Sequence, residues 1–442
     1  MEVLPKTEKT FIIVSQDGSG LGFAKLCIDA GYKTIFASKI EEEDEKPEEF
    51  KLFGQGIVPK IDLDKIFNQR DKYKSAYWIW DGNHNFEYGE TLRKEGFKVF
   101  GGQELTYKME KDRNFGVEIV KKAGLETPPT FEFHTIEEGL KYLDENLDKA
   151  FVFKPDDGEG AFTTYVPDSV KKEAANRELY SYMASQEGDV GTYILQERMD
   201  GVEANFELWI YKGKPFFAYC NFESKRKLNH DEGEMVGCSQ DIGFTVPLAC
   251  KGIELTVEKL LPQFRNYTGF LDMNVIVADK SLYFIEFCAR FGYNAHPNLF
   301  MNLGLRPFPD IMADFIDGNV KDFEKNFKHG FGASITLYID HPKTGYPIYV
   351  TEEMEDKFYH FDTMREENDE EHEYSLSGYG NEVGIVCAHN YTIQDAAKQC
   401  LKNVEKITYP MHACRTDLDL ADYESSPQKR YEALDNMQFL KV

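Results

Sequence analysis

Short apolar segments alternate with amphipathic segments along the first hundred residues. Residues 10–15 (TFIIVS) are apolar and largely β-branched, and Leu21, Ala24 and Ile28 then recur at the spacing of one helix face. Further strand-like segments follow at residues 33–37, 76–80 and 98–100. Strands that alternate with helices in this way predict βαβ units on a parallel sheet.

The pattern changes beyond residue 105. It predicts one helix over residues 109–122, and residues 127–190 then read as strand, helix, strand, helix. A run of strands typical of an antiparallel sheet follows at residues 192–197, 205–211, 215–221, 269–278 and 282–287. The last hundred residues predict a small α/β unit with strands at residues 334–339 and 382–388 and a helix at 393–404.

These changes of pattern predict three domains in a multidomain chain of α/β and α+β class. A length of 442 residues agrees with about three domains, at roughly 150 residues each. The predicted domains are a parallel-sheet α/β domain at 1–105, a central domain at 106–328 and a small α/β domain at 329–442.

Composition and charge exclude several classes of protein. With 42% hydrophobic residues the chain can bury a large core, which excludes a disordered protein. The formal net charge of −26 argues against a nucleic acid or an anionic membrane as the main partner. A small phosphorylated ligand stays compatible with this charge, because a local cationic pocket can lie within an acidic surface.

Three features predict a cytoplasmic protein without a membrane partner. No run of eighteen apolar residues occurs, and the apolar stretch near the start has only four residues, shorter than the core of a signal peptide. The eight cysteines form no C-x-x-C pair, which suits a reduced compartment better than a disulfide framework or a zinc site.

The first candidate for chemistry is Lys154, at the end of the strand FVFKP. The loop DDGEG follows it, so an ammonium and two glycine amides lie near one point and can hold phosphate oxygens. The alternative is an ordinary strand end with a lysine whose ammonium reaches solvent. A Walker P-loop is excluded, because no G-x-x-x-x-G-K-[ST] occurs.

A second candidate group lies in YILQERMDGVEANFEL. Gln196 and Glu197 end one strand and Glu203 begins the next. A carboxylate there can accept hydrogen bonds from a ribose, and the backbone near Arg198 can pair with adenine. The alternative is a solvated hairpin with ordinary surface charges.

The third group lies on two apolar strands joined by a short turn. Antiparallel pairing brings the oxygens of Asn274 and Glu286 within reach of one divalent cation, and Mg²⁺ prefers such ligands. Arg290, four residues past Glu286, can donate to a transferring phosphoryl group. The alternative is a structural ion pair around Glu286.

The order and spacing of these groups resemble the ATP-grasp superfamily. Within it, the chain from about residue 10 to residue 420 resembles the phosphoribosylamine–glycine ligase family. The segments KDRNFGVEIVKKAGLETPPTFEF, LQERMDGVE and TGFLDMNVIV…YFIEFCARFG carry the resemblance, and the last is the most specific. It implies an ATP-grasp fold with an N-terminal pre-ATP-grasp domain, a mobile lid at about 127–190, and ATP with Mg²⁺ (or Mn²⁺) as cofactors.

The resemblance also implies a role for each candidate. Arg113 and Lys154 contact the nucleotide phosphates, and Gln196, Glu197 and Arg198 form the adenine hinge. Glu203 binds the ribose. Glu286, with Asn274, holds the metal, and Arg290 lies beside the γ-phosphate.

The chain departs from the family pattern in its acceptor half. Cys288 replaces the asparagine two residues after the metal glutamate, so Asn274 or Asp272 compensates or metal binding is weaker. Family segments near the acceptor are replaced at residues 17–23 (DGSGLGF), 80–84 (WDGNH) and 293–295 (YNA), and a substrate loop is replaced at 233–243. His230 and His296 lie near these segments, and each is either a substrate contact or an ordinary solvated histidine.

Three functions remain open at this point. The first is a carboxylate–amine ligase with a rewritten acceptor site, acting on a small-molecule acid and amine. The second is an authentic phosphoribosylamine–glycine ligase, and the third is a non-catalytic ATP-binding or scaffolding protein. The protein is expected to be a monomer or a homodimer.

Overall fold

A five-stranded parallel sheet forms the N-terminal part of the protein, in strand order β3-β2-β1-β4-β5. The computed structural model describes residues 9–39, 47–155, 164–169, 171–185, 191–278, 281–366, 373–421 and 423–441. The N-terminal elements are β1 (Thr10–Val14), α1 (Leu21–Asp29), β2 (Lys33–Ser38), α2 (Pro47–Leu52), β3 (Lys60–Asp62), α3 (Leu63–Asn68), β4 (Tyr77–Trp80), α4 (Phe86–Lys94) and β5 (Lys98–Phe100). The predicted parallel sheet is confirmed. The short strand β3 was not predicted, because two of its three residues are charged and it lacks an apolar run.

Two helices follow where one was predicted: α5 (Glu104–Lys111) and α6 (Arg113–Lys122). The prediction of a single helix is wrong, because Asp112 has an extended backbone with φ −97° and ψ 94°. Its side chain accepts a hydrogen bond from the Phe115 N–H at 2.9 Å and so caps the second helix. Arg113 consequently begins a helix instead of lying within one.

A small antiparallel sheet comes next, in strand order β6-β8-β7. Its elements are β6 (Thr130–Phe133), α7 (Ile136–Glu145), β7 (Phe151–Pro155), α8 (Lys172–Ala184) and β8 (Tyr193–Glu197). The predicted order of strand, helix, strand, helix is confirmed. The DDGEG loop after Lys154 lies outside the described residues, and the lid at 127–190 stays a prediction.

A nine-stranded sheet forms the centre of the molecule. The remaining elements are β9 (Val202–Tyr211), β10 (Lys214–Leu228), β11 (Glu232–Thr245), α9 (Lys251–Leu255), β12 (Gly269–Ala278), β13 (Ser281–Phe287), α10 (Ala295–Pro297), α11 (Phe308–Asp317), β14 (Phe331–Ile339), β15 (Pro347–Val350), β16 (Phe358–His360), β17 (Thr363–Met364), β18 (Glu373–Leu376), β19 (Glu382–Asn390), α12 (Ile393–Val404), β20 (Ile407–Thr408), β21 (His412–Ala413) and α13 (Pro427–Asn436). The large sheet has the order β13-β12-β9-β10-β11-β14-β19-β16, and β21 pairs with β14. A four-stranded sheet, β17-β18-β15-β20, flanks it.

Strand β11 corrects one interpretation of the sequence. The resemblance predicts a replaced substrate loop at residues 233–243, but these residues lie inside β11. Asp241 is paired in register with Glu223 of β10 and with Ser334 of β14. The segment has no clear alternation of apolar and polar residues, so pairing on both sides, and not local pattern, makes it a strand.

The large sheet also continues across the predicted limit at residue 328. Its strands β14 and β19 come from the C-terminal part of the chain and are hydrogen-bonded to the strands of the central part. The domain limits stay a prediction. In the part of the chain that the structure describes, no helix has the length and apolar character needed to cross a bilayer.

The buried guanidinium of Arg415 links the C-terminal segment to the hairpin formed by β10 and β11. The Arg415 side chain is fully buried, and its Nη2 atom lies 2.7 Å from Asp417 Oδ2. Its Nη1 atom lies 2.6 Å from Asp231 Oδ1. Removing the guanidinium would leave one fully buried carboxylate and one partly buried carboxylate without their counter-ion.

We therefore expect Arg415→Met to lower the free energy of unfolding by about 3–5 kcal/mol, the range for breaking a buried ion pair. Urea denaturation followed by tryptophan fluorescence measures the change. Arg177→Met is the matched control, since Arg177 pairs with Glu173 at the exposed surface of one helix. Equal stability of the two variants would contradict the role given to Arg415.

Candidate functional site

Lys154 lies on β7 of the small sheet, where its ammonium faces inward. The side chain is 8% exposed, and Nζ donates to Gln196 Oε1 at 2.9 Å. The alternative of an ammonium reaching solvent therefore does not fit. Burial first, and then the charges of Arg113 and Lys225, lower the pKa of Lys154 to about 8 against the opposing charge of Glu286. Residues from four separate segments thus share one electrostatic environment.

The candidate ribose and metal carboxylates are joined by a lysine that the sequence interpretation did not select. Lys225 Nζ lies 2.9 Å from Glu203 Oε1 and 2.9 Å from Glu286 Oε1. Burial disfavours the charged lysine, but Glu203, Glu286 and Glu223 together raise the pKa of Lys225 well above its usual value. In the sequence the lysine lies within SKRK, which is typical of a solvated turn.

Asn274 and Glu286 meet as predicted from antiparallel pairing. They are direct partners in register, and Asn274 Nδ2 donates to Glu286 Oε1 at 2.8 Å. Lys225 holds the pKa of Glu286 well below its usual range, against the effect of burial, so the carboxylate is ionised. The Oδ1 atom of Asn274 is buried and has no hydrogen-bond partner among the described residues.

These two side chains fit a hard divalent cation. An ionised carboxylate beside an amide oxygen that lacks a donor supplies the oxygen ligands that Mg²⁺ prefers. Among the described residues, no group of three or more His, Cys, Asp or Glu side chains has metal-binding geometry. That agrees with a metal bound through one carboxylate and completed by substrate phosphates and water.

Cys288 and Asp272 lie next to this pair with different properties. Burial raises the pKa of the Cys288 thiol well above its usual value, so at neutral pH it is not the thiolate that metals require. Asp272 lies two residues before Asn274 on β12, and within the part of the chain that the structure describes its buried Oδ1 atom has no hydrogen-bond partner. Burial first, and then the Glu207 charge, raise the pKa of Asp272.

Arg290 is held by the first part of the central domain. Its Nε atom lies 3.2 Å from Glu110 Oε1 on α5, and its guanidinium lies 5.2 Å from the centre of the Tyr293 ring. Burial opposes the charged form, but Glu110 and its neighbours raise the pKa of Arg290 well above its usual value. A permanent cation with a planar set of donors thus lies near the carboxylates of the site.

The candidate adenine hinge is already hydrogen-bonded within the protein. The Glu197 N–H donates to the Pro129 carbonyl and the Arg198 N–H to the Ala150 carbonyl, each at 2.8 Å. The Arg198 guanidinium donates to the Pro167 carbonyl at 3.0 Å, so this side chain positions the segment before α8. Pairing of adenine at this point would need groups other than these two N–H donors.

One face of the large sheet is polar although its strands are buried. Asn205 of β9 is paired in register with Asn274 of β12 and with Asn221 of β10. The opposite face carries apolar residues such as Phe206 and Leu271. Polar residues at every second position of apolar strands were the sequence signal that could have marked this face.

Asp241 of β11 extends this polar face and titrates near neutrality. It accepts hydrogen bonds from Asn221 Nδ2 at 2.7 Å and from Asn298 Nδ2 at 2.8 Å. Burial nevertheless raises the pKa of Asp241 to about 7. The folded protein therefore binds this proton more tightly than the unfolded chain does.

Stability should consequently fall as pH rises. The contribution of a carboxyl group with a raised pKa is complete below its unfolded pKa and is lost as pH passes through the folded pKa. We expect the free energy of unfolding to decrease from pH 5 to pH 8, by at most about 1.4 kcal/mol per pH unit for this one group. Asp241→Asn should flatten this slope, and an unchanged slope in the variant would contradict the assignment.

The segments at residues 17–23, 80–84 and 293–295 meet at one end of the site. Tyr293 Oη donates to Asp17 Oδ2 at 2.9 Å, Ser19 Oγ donates to Asp81 Oδ2 at 2.8 Å, and the Phe291 N–H donates to the Asp81 carbonyl at 3.0 Å. Burial first, and then the Asp17 charge, raise the pKa of Asp81 to about 7. The substitutions in sequence thus form one continuous region.

The two candidate histidines differ in environment. His296 is buried, accepts the Gly292 N–H at Nδ1 at 2.8 Å and lies 3.2 Å from Glu207 Oε2 through Nε2. His230 lies at the turn between β10 and β11 with φ +59°, and its N–H donates to Asp417 Oδ2 at 2.7 Å. His296 is therefore not a solvated loop residue.

The residues of this site lie in a segment that matches a known protein family. Residues 111–295 match the family described as "Phosphoribosylglycinamide synthetase, ATP-grasp (A) domain". The chain thus contains an ATP-grasp domain at the residues that this match covers. The matched segment contains all the candidate nucleotide and metal residues: Arg113, Lys154, Gln196, Glu197, Arg198, Glu203, Asn274, Glu286 and Arg290.

Curated relatives carry the resemblance beyond the ATP-grasp domain. A phosphoribosylamine–glycine ligase from Lactococcus lactis is 26% identical over 213 residues, which are 45% of this chain and 49% of that enzyme. One from Clostridium acetobutylicum is 21% identical over 342 residues, 74% of this chain and 80% of that enzyme. The chain thus spans about half of the first relative and about four fifths of the second.

A solved structure extends the likeness to nearly the whole chain. The crystal structure of a phosphoribosylamine–glycine ligase from Thermotoga maritima has a TM-score of 0.67 and 18% identity, and the match covers 92% of this chain and 99% of that one. The predicted α/β and α+β multidomain ATP-grasp fold is confirmed. The domain match, the named relatives and this structure thus agree on a likeness to phosphoribosylamine–glycine ligases.

Proposed function

We propose that this ATP-grasp protein is a carboxylate–amine ligase that forms an amide through an acyl phosphate. The observation that carries the proposal is the pairing of ionised Glu286 with the unpartnered Asn274 oxygen, in the same charge environment as buried Lys154. Lys154 and Asn274 are buried, whereas the Glu286 side chain is 49% exposed. Retaining a buried ammonium is expensive for a protein that binds no charged ligand. This argues against a purely scaffolding role.

In this proposal, each candidate residue contacts a particular part of ATP. Arg113 and Lys154 contact the phosphates, and Glu203 accepts the ribose hydroxyls. The segment Gln196, Glu197 and Arg198 borders the adenine. Lys154 faces the Gln196 amide at 2.9 Å, so the phosphate contact and the hinge lie on neighbouring strands of one small sheet.

Glu286 and Asn274 are the residues that would hold Mg²⁺ (or Mn²⁺). When bound, the metal neutralises phosphate charge and aligns the γ-phosphoryl group for transfer. Arg290 would stabilise the equatorial oxygens of that group in the transition state, since its fork of donors is held by Glu110. No covalent intermediate on a protein side chain is needed.

The reaction proceeds in two balanced steps. A carboxylate oxygen of the acid attacks the γ-phosphorus, the bond from that phosphorus to the β–γ bridging oxygen breaks, and ADP leaves. The amine nitrogen then attacks the acyl carbon, the bond from that carbon to the phosphate oxygen breaks, inorganic phosphate leaves and the nitrogen loses a proton. Closure of the lid excludes water, to which an acyl phosphate is unstable.

The acceptor is proposed to differ from phosphoribosylamine. The regions around Asp17, Asp81 and Tyr293 depart together from the family pattern, and they are in contact. Two carboxylates at this end of the site are poor partners for a substrate phosphate. The relatives are phosphoribosylamine–glycine ligases, which favours the alternative, glycine with phosphoribosylamine, so both acceptors belong in the test.

The experiment measures ADP release from ATP and Mg²⁺ over a panel of amino acids, each with hydroxylamine, with simple amines and with phosphoribosylamine generated in situ. Hydroxylamine traps an acyl phosphate as a hydroxamate even when the natural amine is missing. We expect one acid to give ADP and hydroxamate in equal amounts. Dependence on glycine and phosphoribosylamine together would instead identify the alternative enzyme. ATP binding without turnover of any acid would contradict a ligase.

A further inference from the structure

Lys225 occupies the place where the nucleotide and metal carboxylates meet. Its ammonium lies 2.9 Å from Glu203 Oε1 and 2.9 Å from Glu286 Oε1. The same Oε1 atom of Glu286 also accepts the hydrogen bond from Asn274 at 2.8 Å. One lysine therefore neutralises two carboxylates that are proposed to bind different parts of Mg·ATP.

We propose that Lys225 is a catalytic residue that competes with the metal for Glu286 and transfers its ammonium to the nucleotide phosphates when Mg·ATP binds. This inference rests on the proposed nucleotide site, but not on the identity of the acid or the amine. It assigns a role in the reaction to a residue outside the set selected from the sequence.

Lys225 and the metal compete because both would bind the same oxygen, Oε1 of Glu286. Mg²⁺ binds carboxylate oxygens at about 2.1 Å, and a lysine ammonium hydrogen-bonded to the same oxygen lies within a few ångströms of the metal. Two such cations repel each other strongly in a partly buried site. Lys225 must therefore leave Glu286 Oε1 for the metal to bind there.

Release from Glu286 leaves the ammonium close to the phosphates. Its second anchor, Glu203, is the proposed ribose ligand, so a bound nucleotide weakens that contact as well. The charge of Lys225 already lowers the pKa of Lys154, which places the two ammonium groups in one environment. Phosphate oxygens are the anions that would accept a displaced ammonium there.

The chain contains a matched control on the same strand. Lys227 lies two residues further along β10, where its Nζ atom is 3.2 Å from Glu234 Oε1 and 3.5 Å from Asp340 Oδ1. The side chains of Lys225 and Lys227 are similarly covered, at 16% and 18% exposed. Replacing either by methionine changes the net charge of the protein by the same amount.

The first test is a titration of the nucleotide-free protein with Mn²⁺, followed by the electron paramagnetic resonance signal of the free ion. We expect the Lys225→Met variant to bind Mn²⁺ at the Glu286 site at least about tenfold more tightly than the unaltered protein does. The Lys227→Met variant should bind Mn²⁺ as tightly as the unaltered protein. Lys225→Gln provides a second variant if the first is poorly folded by circular dichroism. Equal or weaker binding in the folded Lys225 variants overturns the inference.

The second test separates this role from a structural one. Lys225→Met should slow ADP release about 100-fold while the metal affinity rises, and Lys225→Arg should recover part of the rate. If Lys225 only stabilised the fold, its replacement would not lower the rate of ADP release and at the same time raise the metal affinity. The metal titration does not depend on turnover, so a failure of the ligase proposal would leave its result interpretable.

Discussion

Glu286→Gln is expected to reduce Mg²⁺-dependent ADP release by at least about 10³-fold, with the fold intact. The amide keeps a group that can accept from Asn274 Nδ2, which lies 2.8 Å from Glu286 Oε1, but it removes the charge that binds the metal. Stopped-time ADP assays at saturating ATP, with circular dichroism on the same samples, measure both properties.

Glu234→Gln is the matched control for this variant. Glu234 belongs to β11 and pairs with Lys227 at the surface, so its loss should leave turnover unchanged. Turnover in Glu286→Gln equal to that of the control would contradict the metal assignment. A second readout is the Mn²⁺ titration, in which Glu286→Gln should lose the high-affinity site.

Lys154→Met is expected to lower kcat/KM for ATP by about 10²- to 10³-fold, because a buried ammonium facing the phosphates is removed. A pH profile adds an independent signature. The Lys154 pKa is lowered to about 8 by burial, so kcat/KM should decrease above pH 8 as the free enzyme loses this charge. Lys154→Arg should retain activity at higher pH, since a guanidinium does not titrate there.

Lys141→Met is the control for the lysine variant. Lys141 lies on the exposed side of α7 in the same small sheet unit, away from the nucleotide side chains. Equal ATP kinetics in Lys154→Met and Lys141→Met would remove Lys154 from the nucleotide site. An alkaline limb that persists unchanged in Lys154→Arg would assign it to another group.

The parts of the site that could be predicted from the sequence are those encoded by local pattern. The two apolar strands around a tight turn predicted the hairpin of β12 and β13, and their pairing brought Asn274 opposite Glu286. Helix α12 follows the apolar periodicity of its own residues, and its observed bounds equal the predicted ones.

The parts that could not be predicted depend on contacts distant in sequence. Lys225 reaches Glu286 across 61 residues, and nothing in SKRK distinguishes it from its neighbours. Strand β11 exists because β10 and β14 pair with its two edges. Asp112 divided a predicted helix because its side chain caps the following turn, although the apolar spacing continues across it.

Oxygen transfer from the acid to phosphate tests the central claim most directly. The acid found in the hydroxylamine panel is labelled with ¹⁸O in its carboxylate and incubated with ATP, Mg²⁺ and the amine, and the released phosphate is analysed by mass spectrometry. A carboxylate–amine ligase acting through an acyl phosphate predicts one ¹⁸O atom in each phosphate. Phosphate without ¹⁸O, formed at the same rate as ADP, would contradict the proposed reaction.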